Sequence, residues 1–496
     1  MTQIKNEAGM VAALTHEAIE SLAGARVAVI GDVMLDRYVY GAVDRVSPEA
    51  PIAVLGIEHE RAMPGGAGNV ARNAAALGAE VTLVALCGDD EAGREISALL
   101  ATAENLTTNM ILSASRTTSV KTRFVAANQQ LLRTDRDARD EVDATAAAEI
   151  RVAALAAVDG ADAVILSDYA KGVLSRVLIE AVVARADERG VPVIADPKSA
   201  DFSYYRGVSV LTPNRAELQA ASHLQVVHDD QAVAAARRVI ETCGISSVLA
   251  TRGPQGMTLV CAEGEPQHIP TRAREVFDVS GAGDTVVAAL AVGLAAGLAL
   301  DAAAELANAA AGVVVGKAGT AVVGAAELKA ALQVRDVLNT EAKIVDLPAA
   351  LERLASWRGD LERIVFTNGC FDLIHPGHVA LLAQARAAGE RLIVGLNSDV
   401  SVRRLKGDGR PVQIEGARAQ VLASFAAVDL VVIFDEDTPF ELISALRPDI
   451  LVKGADYAEA EVVGGDVVKA YGGRVLLADI VDGHSTTDTI TRMSEA

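Results

Sequence analysis

Asp278-Val279-Ser280-Gly281-Ala282-Gly283-Asp284-Thr285 decides how the first two-thirds of the chain is read. Gly281 and Gly283 free the backbone to turn its N–H groups toward one point, and the apolar run that begins at Thr285 reads as a helix whose positive end faces the same point. Such a corner, built from residues 281 to 283, is a pocket for an anion. Asp284 then stands where a carboxylate takes a proton from a hydroxyl while phosphate is held close by, as phosphoryl transfer to an alcohol requires. The same residue also reads as an ordinary helix N-cap, so the local pattern leaves both roles open.

Outward from that corner, buried strands alternate with helices, and each strand ends in polar residues. Residues 26–30 form a continuous apolar run followed by Gly31-Asp32 and then Asp36. Acidic residues just past the carboxyl end of a buried strand lie where open α/β sheets place ligand contacts, and they suit sugar hydroxyls. Residues 52–57 read as a short strand, and Gly65-Gly66-Ala67-Gly68-Asn69 opens an alanine-rich helix. Its glycines allow either close approach of backbone to a ligand or tight helix packing; Asn69 offers both a donor and an acceptor. The strands at 81–86, 163–166, 192–195 and 208–211 end at Gly88-Asp89-Asp90, Ser167-Asp168-Tyr169, Asp196-Pro197-Lys198 and Thr212-Pro213-Asn214. That rhythm predicts a mostly parallel sheet with helical crossovers and a ligand edge along the strand ends. Residues 117–134 break it: alternating polar and β-branched residues with Arg116, Lys121, Arg123 and Arg133 nearby read as an antiparallel ribbon, either a basic lid or a solvated face. Asn214-Arg215-Ala216-Glu217 starts a helix, with Asn214 and Glu217 on one face, where they would suit a hydrated Mg²⁺ beside nucleotide phosphates.

Composition removes several classes. A chain of 496 residues should hold two or three domains. Its formal charge of -21 argues against a general nucleic-acid or anionic-membrane binder, so a phosphate substrate has to meet local basic groups. Four cysteines, Cys87, Cys243, Cys261 and Cys370, have neither paired nor metal-ligand spacing, as in a reducing compartment. Residues 1–22 carry charges throughout and lack a signal-peptide core, and the apolar run 285–300 is shorter than the roughly 20 residues a membrane span needs. A cytoplasmic enzyme is the expectation.

Gly65-Gly66-Ala67-Gly68-Asn69, Asn214 to Glu217, Thr251-Arg252-Gly253 and Gly281-Ala282-Gly283-Asp284 occur in the order and spacing of the ribokinase-like (PfkB) sugar kinases, which residues 20–330 resemble. The resemblance implies that Asp284 is the general base, residues 281–283 the anion hole, and Asn214, Arg215, Ala216 and Glu217 part of the ATP site. It also implies that Glu217 reaches Mg²⁺ through water, while Asp32, Asp36, Gly65, Gly66 and Asn69 bind the sugar. Where the family often has Thr, this chain has Val279, which puts any monovalent-ion site there in doubt.

A second engine follows. Residues 1–333 read as the kinase domain, 334–343 as a linker, and 344–496 as another α/β unit. The strand at 364–366 runs into Thr367-Asn368-Gly369-Cys370-Phe371-Asp372-Leu373-Ile374-His375-Pro376-Gly377-His378. Pro376 suits a first helical turn, so His375 and His378 would flank a helix N-terminus and stabilise a polyphosphate as it is displaced. With no nearby Cys or third ligand the pair makes a poor zinc site. Arg403-Arg404-Leu405-Lys406-Gly407-Asp408-Gly409-Arg410 is a basic cluster in an acidic chain, fit for a triphosphate or simply a solvated helix face, and Gly483-His484-Ser485-Thr486-Thr487 precedes a last helix.

This half resembles the cytidylyltransferase-like nucleotidyltransferases with their His-x-Gly-His signature, and the whole chain resembles the bifunctional heptose-7-phosphate kinase and heptose-1-phosphate adenylyltransferase family of bacterial ADP-heptose synthesis. The fold implied is a ribokinase-like, mostly parallel α/β sheet with helices on both faces and a small β lid, followed by a smaller Rossmann-like nucleotidyltransferase domain. By the resemblance His375 and His378 act on the triphosphate and Lys406 on its phosphates. Ser485 and Thr486 lie at its far end, and Thr367, Asn368, Gly369 and Phe371 belong to the nucleotide site. ATP serves both reactions, with Mg²⁺, on heptose phosphates. A homodimer through the lid and a separate phosphatase between the two steps are also implied. The pairing has its own logic: a sugar 1-phosphate is already ionised when it attacks the α-phosphorus of ATP, so the second site needs charge stabilisers and no general base. A sugar kinase fused to a CTP-dependent transferase, and a non-catalytic sugar-phosphate regulator, remain as rivals.

Overall fold

The computed structural model describes residues 16–479 apart from 128, 139–140, 200, 272–277, 318, 339–342, 360, 408 and 455–457. Two compact units divide at Leu332/Gln333. In the first, β1 (Arg26–Val46) is a single strand of 21 residues, far longer than the run 26–30 from which it was read. Over residues 26–32 it lies between β3 (Glu80–Gly88) and β7 (Ala163–Ser167), parallel to both. Beyond Asp32 it leaves the main sheet. There it pairs antiparallel with β2 (Ala53–Gly66) and parallel with β5 (Val120–Ala126), which pairs antiparallel with β6 (Gln129–Arg136). The ribbon expected at 117–134 is therefore the β5–β6 hairpin of a four-stranded lid, and Asp32 and Asp36 lie within a strand rather than past its end.

The main sheet continues through β4 (Leu106–Ser113) on one side and β8 (Val193–Asp196), β9 (Val210–Leu211), β10 (Ser247–Thr251), β11 (Met257–Cys261) and β12 (Gln267–Ile269) on the other, in the order β12-β11-β10-β9-β8-β7-β1-β3-β4. Only β11 and β12 run antiparallel to their neighbours. Helices cover both faces, so the inner strands are apolar on both sides; separate clusters around Val29 and Leu290 and around Ile30 and Val182 form the two cores. Strand order reverses direction at β1/β7, the crevice where such sheets bind ligands at their carboxyl ends. The helix Ala325–Leu338 runs past residue 332 into the stretch read as linker.

The second unit holds β13 (Ile344–Val345), β14 (Ile364–Gly369), β15 (Arg391–Asn397), β16 (Leu430–Phe434), β17 (Ile450–Gly454) and β18 (Arg474–Ala478). They form an all-parallel sheet in the order β13-β16-β15-β14-β17-β18. Again there is a core on each face. Its order reverses at β14/β17, so Thr367-Asn368-Gly369 at the end of β14 stands at that crevice. Among the described residues, no helix is long and apolar enough to cross a membrane.

Candidate active sites

In the first unit Gly281, at φ 80, is the N-cap of the buried helix Ala282–Ala295, which places Asp284 in the first turn and removes the N-cap reading. The turn before it is tied by Asp278, whose carboxylate accepts from the N–H groups of Ser280 (2.8 Å) and Gly319 (3.0 Å). A Cβ on Gly283 would meet nothing within 4 Å, so backbone is bare at the anion corner. Asp284 is 5 % exposed; its Oδ2 accepts from Asn69 Nδ2 at 2.7 Å and its Oδ1 from Tyr169 Oη at 2.6 Å. Burial pushes its carboxyl up to about 6, with the two hydrogen bonds acting against that rise. It borders a cavity of about 190 Å³ lined also by Tyr169, Asp196, Lys198, Asn214, Glu217, Gly281 and Gly283.

Asn69 is held in turn. Asn73 Nδ2 donates to the Asn69 backbone carbonyl (3.0 Å), and Thr285 Oγ1 donates to Asn73 Oδ1 (3.1 Å), so a buried polar chain joins the helices Ala67–Ala76 and Ala282–Ala295 across the site. Asn73 and Tyr169 were missed as site residues. An Asn four residues after Asn69 on one helix face was the available signal for the first, and a place just past the carboxyl end of a buried strand was the signal for the second.

Other residues fall differently from the sequence reading. Asp32 is 1 % exposed, and its carboxylate accepts three backbone N–H groups, from Tyr169, Lys171 and Val173, at 2.9–3.1 Å, so it organises a loop. Asp36 is bound by Arg123 at 2.5 Å, with Lys121 opposite it in the β1–β5 register. Gly65 has no room for a side chain: a Cβ would run into the Asp36 carboxylate and Met34. Gly66, at φ 59, caps the Asn69 helix. Asn214 and Glu217 form a capping box: Asn214 Oδ1 accepts from the N–H groups of Ala216 and Glu217, and Glu217 Oε2 from that of Asn214. Glu217 Oε1 also meets Lys198 Nζ at 3.1 Å. Arg215 and Ala216 are exposed and do not line the cavity. A larger groove of about 570 Å³ lies at the opposite ends of the strands, by Arg26, Glu80 and Leu106, away from this chemistry.

In the second unit His375 is the N-cap of the helix Pro376–Ala388, with Pro376 in its first turn. The His375 and His378 rings stack with centroids 3.8 Å apart, and Phe371, at φ 42, packs its ring 5.0 Å from His378. Burial and then the neighbouring His375 push the His378 imidazole down to about 4. Thr367 Oγ1 and Asn368 Oδ1, at the end of β14, are buried without a hydrogen-bond partner among the described residues. Lys453 Nζ donates to the Asn368 carbonyl at 3.1 Å.

The basic stretch is divided. Arg404 pairs with Asp437 (2.7 Å) and Arg410 with the buried Asp372 (2.5 Å). Lys406 ends the helix Asp399–Lys406, exposed; burial raises the Cys370 thiol above its usual range, and the charge of Lys406 acts against that rise. Asp372 also accepts from the N–H groups of Val412 and Gln413, so the carboxylate of the motif is a loop anchor and not a base. Arg418 is fully buried and holds the Cys370 and Asn397 carbonyls. Ser485 and Thr486 lie outside the described residues. The four cysteines are free, and no metal-binding cluster of three or more His, Cys, Asp or Glu occurs among the described residues.

A doubly wound sheet with a lid and a carboxylate at a glycine-rich helix start, followed by a second parallel sheet with paired histidines at a helix start, defines a carbohydrate kinase joined to a nucleotidyltransferase. Residues 25–325 match the pfkB family carbohydrate kinases and residues 366–489 the cytidylyltransferase-like family. The bifunctional protein HldE of Paramagnetospirillum magneticum is 53 % identical over 96 % of this chain and 98 % of its own length, and that of Rhodospirillum rubrum 54 % identical over 96 % of each. The chain belongs to the bifunctional HldE family. Among solved structures, Escherichia coli phosphofructokinase-2 in complex with substrates and products superposes with a TM-score of 0.54 at 21 % identity, covering 63 % of this chain and 99 % of that one. Arabidopsis thaliana ribokinase complexed with ribose and ATP gives 0.50 at 20 % identity, over 62 % and 99 %. At that identity the two structures speak for the fold of the first unit.

Proposed function

We propose that the two sites catalyse successive, separate steps of ADP-heptose synthesis. In the first unit ATP phosphorylates D-glycero-β-D-manno-heptose 7-phosphate at O1. Asp284 accepts the proton of the anomeric hydroxyl as its oxygen bonds to the γ-phosphorus and ADP leaves, while the glycine-rich backbone of residues 281–283 faces the transferred phosphoryl. Asn69 orients the base, and Asp36, Gly65 and Gly66 shape the sugar pocket. The observation that carries this reading is the Asp284 carboxylate, buried yet bordering a cavity at a helix start.

In the second unit the oxygen of heptose 1-phosphate attacks the α-phosphorus of a second ATP and pyrophosphate leaves. His375, His378 and the dipole of their helix face the departing charge. Lys406, with Ser485 and Thr486, lies along the phosphates, and Thr367, Asn368, Gly369 and Phe371 receive the nucleotide. The acceptor is already anionic, which agrees with an Asp372 tied to Arg410 and two backbone N–H groups.

Mg²⁺ suits the first site. Burial, Asp284 and then Glu217 drive the Asp196 carboxyl well above its usual range, a crowding of negative charge that a divalent ion relieves. Glu217 would hold the ion through water beside the phosphates, and when bound it neutralises their charge. The product of the first step passes to a separate phosphatase before the second. We place the enzyme in the cytoplasm as a homodimer joined through the lid, where Leu131 and Leu132 of β6 are exposed.

Pyrophosphate release from the full-length protein with heptose 1-phosphate and either ATP or CTP tests the reading. Release with ATP is expected; release with CTP alone would give the second site to the cytidylyl rival.

A further inference from the structure

The base is gripped from a loop that the kinase reading does not use. Tyr169 Oη donates to Asp284 Oδ1 at 2.6 Å, opposite the Asn69 amide on Oδ2. That loop is fixed from behind. The N–H groups of Tyr169 (3.0 Å), Lys171 (2.9 Å) and Val173 (3.1 Å) converge on the Asp32 carboxylate, which is itself sealed between β1 and the loop. Ala170 at φ 55 and Gly172 at φ 94 give the backbone the turns that aim three donors at one anion. Burial raises the Asp32 carboxyl above its usual range, and the three N–H donors act against that rise.

We propose that Tyr169 is a positioning residue for phosphoryl transfer: its phenol, set in place by the Asp32-anchored loop, holds the Asp284 carboxylate in one rotamer with a lone pair turned to the cavity, ready to take the hydroxyl proton. The proposal rests on Asp284 being the base. A phenol suits the task because here it remains a donor at every working pH: burial first, and then the charges of Asp284 and Asp196, hold it well above its ordinary range. Its hydrogen bond, like that of Asn69, opposes the upward push that burial gives Asp284. Other charged groups act on Asp284 from around the site among the described residues. Asp36 on β1 raises it and Lys121 on β5 lowers it. Asp196, the last residue of β8, adds negative charge, with Lys198 and Glu217 beside it. Lys121 Nζ lies 5.8 Å from the Tyr169 ring centroid.

The test is the pH profile of phosphorylation by Tyr169→Phe, beside wild type and Asp284→Asn. Losing one donor to the carboxylate raises the pKa of Asp284, so the acid limb moves to higher pH, by about one unit. Turnover should fall about fivefold at pH about 6 from the moved limb alone, and the further loss that comes from the freed carboxylate rotamer should persist at pH about 9. The substrate phosphates titrate in the same range in every enzyme, so the difference between profiles is the readout. Asp32→Asn, which weakens the anchor, should move the limb in the same direction and serves if Tyr169→Phe does not fold. A limb that stays in place in the folded variant, with Asp284→Asn inactive, overturns the role of Tyr169 and leaves the base intact. An active Asp284→Asn overturns the base, and this proposal with it.

Discussion

Replacing Arg418 by Met should loosen the second site from beneath. Its side chain is fully buried, and the guanidinium donates from Nε to the Gln413 carbonyl (3.0 Å), from Nη1 to those of Cys370 (2.7 Å) and Asn397 (2.8 Å), and from Nη2 to Asp399 Oδ1 (2.7 Å). Methionine fills most of the volume but leaves three carbonyls and a carboxylate without that donor. Breaking a buried ion pair from one side costs about 3–5 kcal/mol. The Asp399 side chain is 22 % exposed and keeps some water, which puts the value near the lower end, about 3 kcal/mol. For a domain of this size that corresponds to a fall on the order of 10 °C in the unfolding midpoint. The assay heats full-length protein to graded temperatures, cools it, and measures both reactions. The midpoint for loss of adenylyl transfer should fall by that amount while the midpoint for phosphorylation stays. Arg418→Lys should recover only part, since one ammonium cannot reach four acceptors in a planar fork. A midpoint for Arg418→Met within about 1 °C of wild type would refute the claim that this fork supports the histidine loop.

Asp284→Asn should lower phosphorylation by at least about 10²-fold and spare adenylyl transfer, measured as ADP and pyrophosphate release from one preparation. His378→Gln should do the reverse, lowering adenylyl transfer by about 10²–10³-fold. It should also change acid stability. The imidazole is pushed from 6.5 down to about 4, so the unfolded chain binds a proton that the folded one refuses, and stability is lost as pH falls from 6.5 toward 4. Urea midpoints at pH about 7 and about 5 should therefore differ less in the variant than in wild type. Gly65→Ala drives a methyl into the Asp36 carboxylate and should raise the KM for the sugar phosphate about tenfold or more, with the KM for ATP little changed; equal effects on both would place Gly65 elsewhere.

Features written in short stretches were legible. The turn at Gly281 and Gly283, the helix after it, and Pro376 opening a helix beside two histidines all follow from backbone freedom and first-turn preferences within a dozen residues. The strand rhythm gave the parallel sheets for the same reason. What escaped depends on distant partners. Tyr169 meets Asp284 across 115 positions, and Thr285 meets Asn73 across 212. Asp32 read as a sugar ligand because nothing beside it reveals that three N–H groups some 140 residues on will take its charge. The length of β1 was hidden because Gly31-Asp32 and Asp36-Arg37 interrupt its apolar runs and its last five residues are exposed. Asn214 and Glu217 were open to a better reading, since Asn followed three residues later by Glu is itself a helix-start signature.

The central claim is that two independent phosphate-handling sites act on two different heptose phosphates, and product mass spectrometry of the whole protein tests it most directly. With ATP, Mg²⁺ and heptose 7-phosphate the mass should rise by one phosphoryl group and no ADP-heptose should form; with heptose 1-phosphate in its place, ADP-heptose and pyrophosphate should appear. Neither product from folded protein, or ADP-heptose made directly from the 7-phosphate with no other enzyme present, would contradict it.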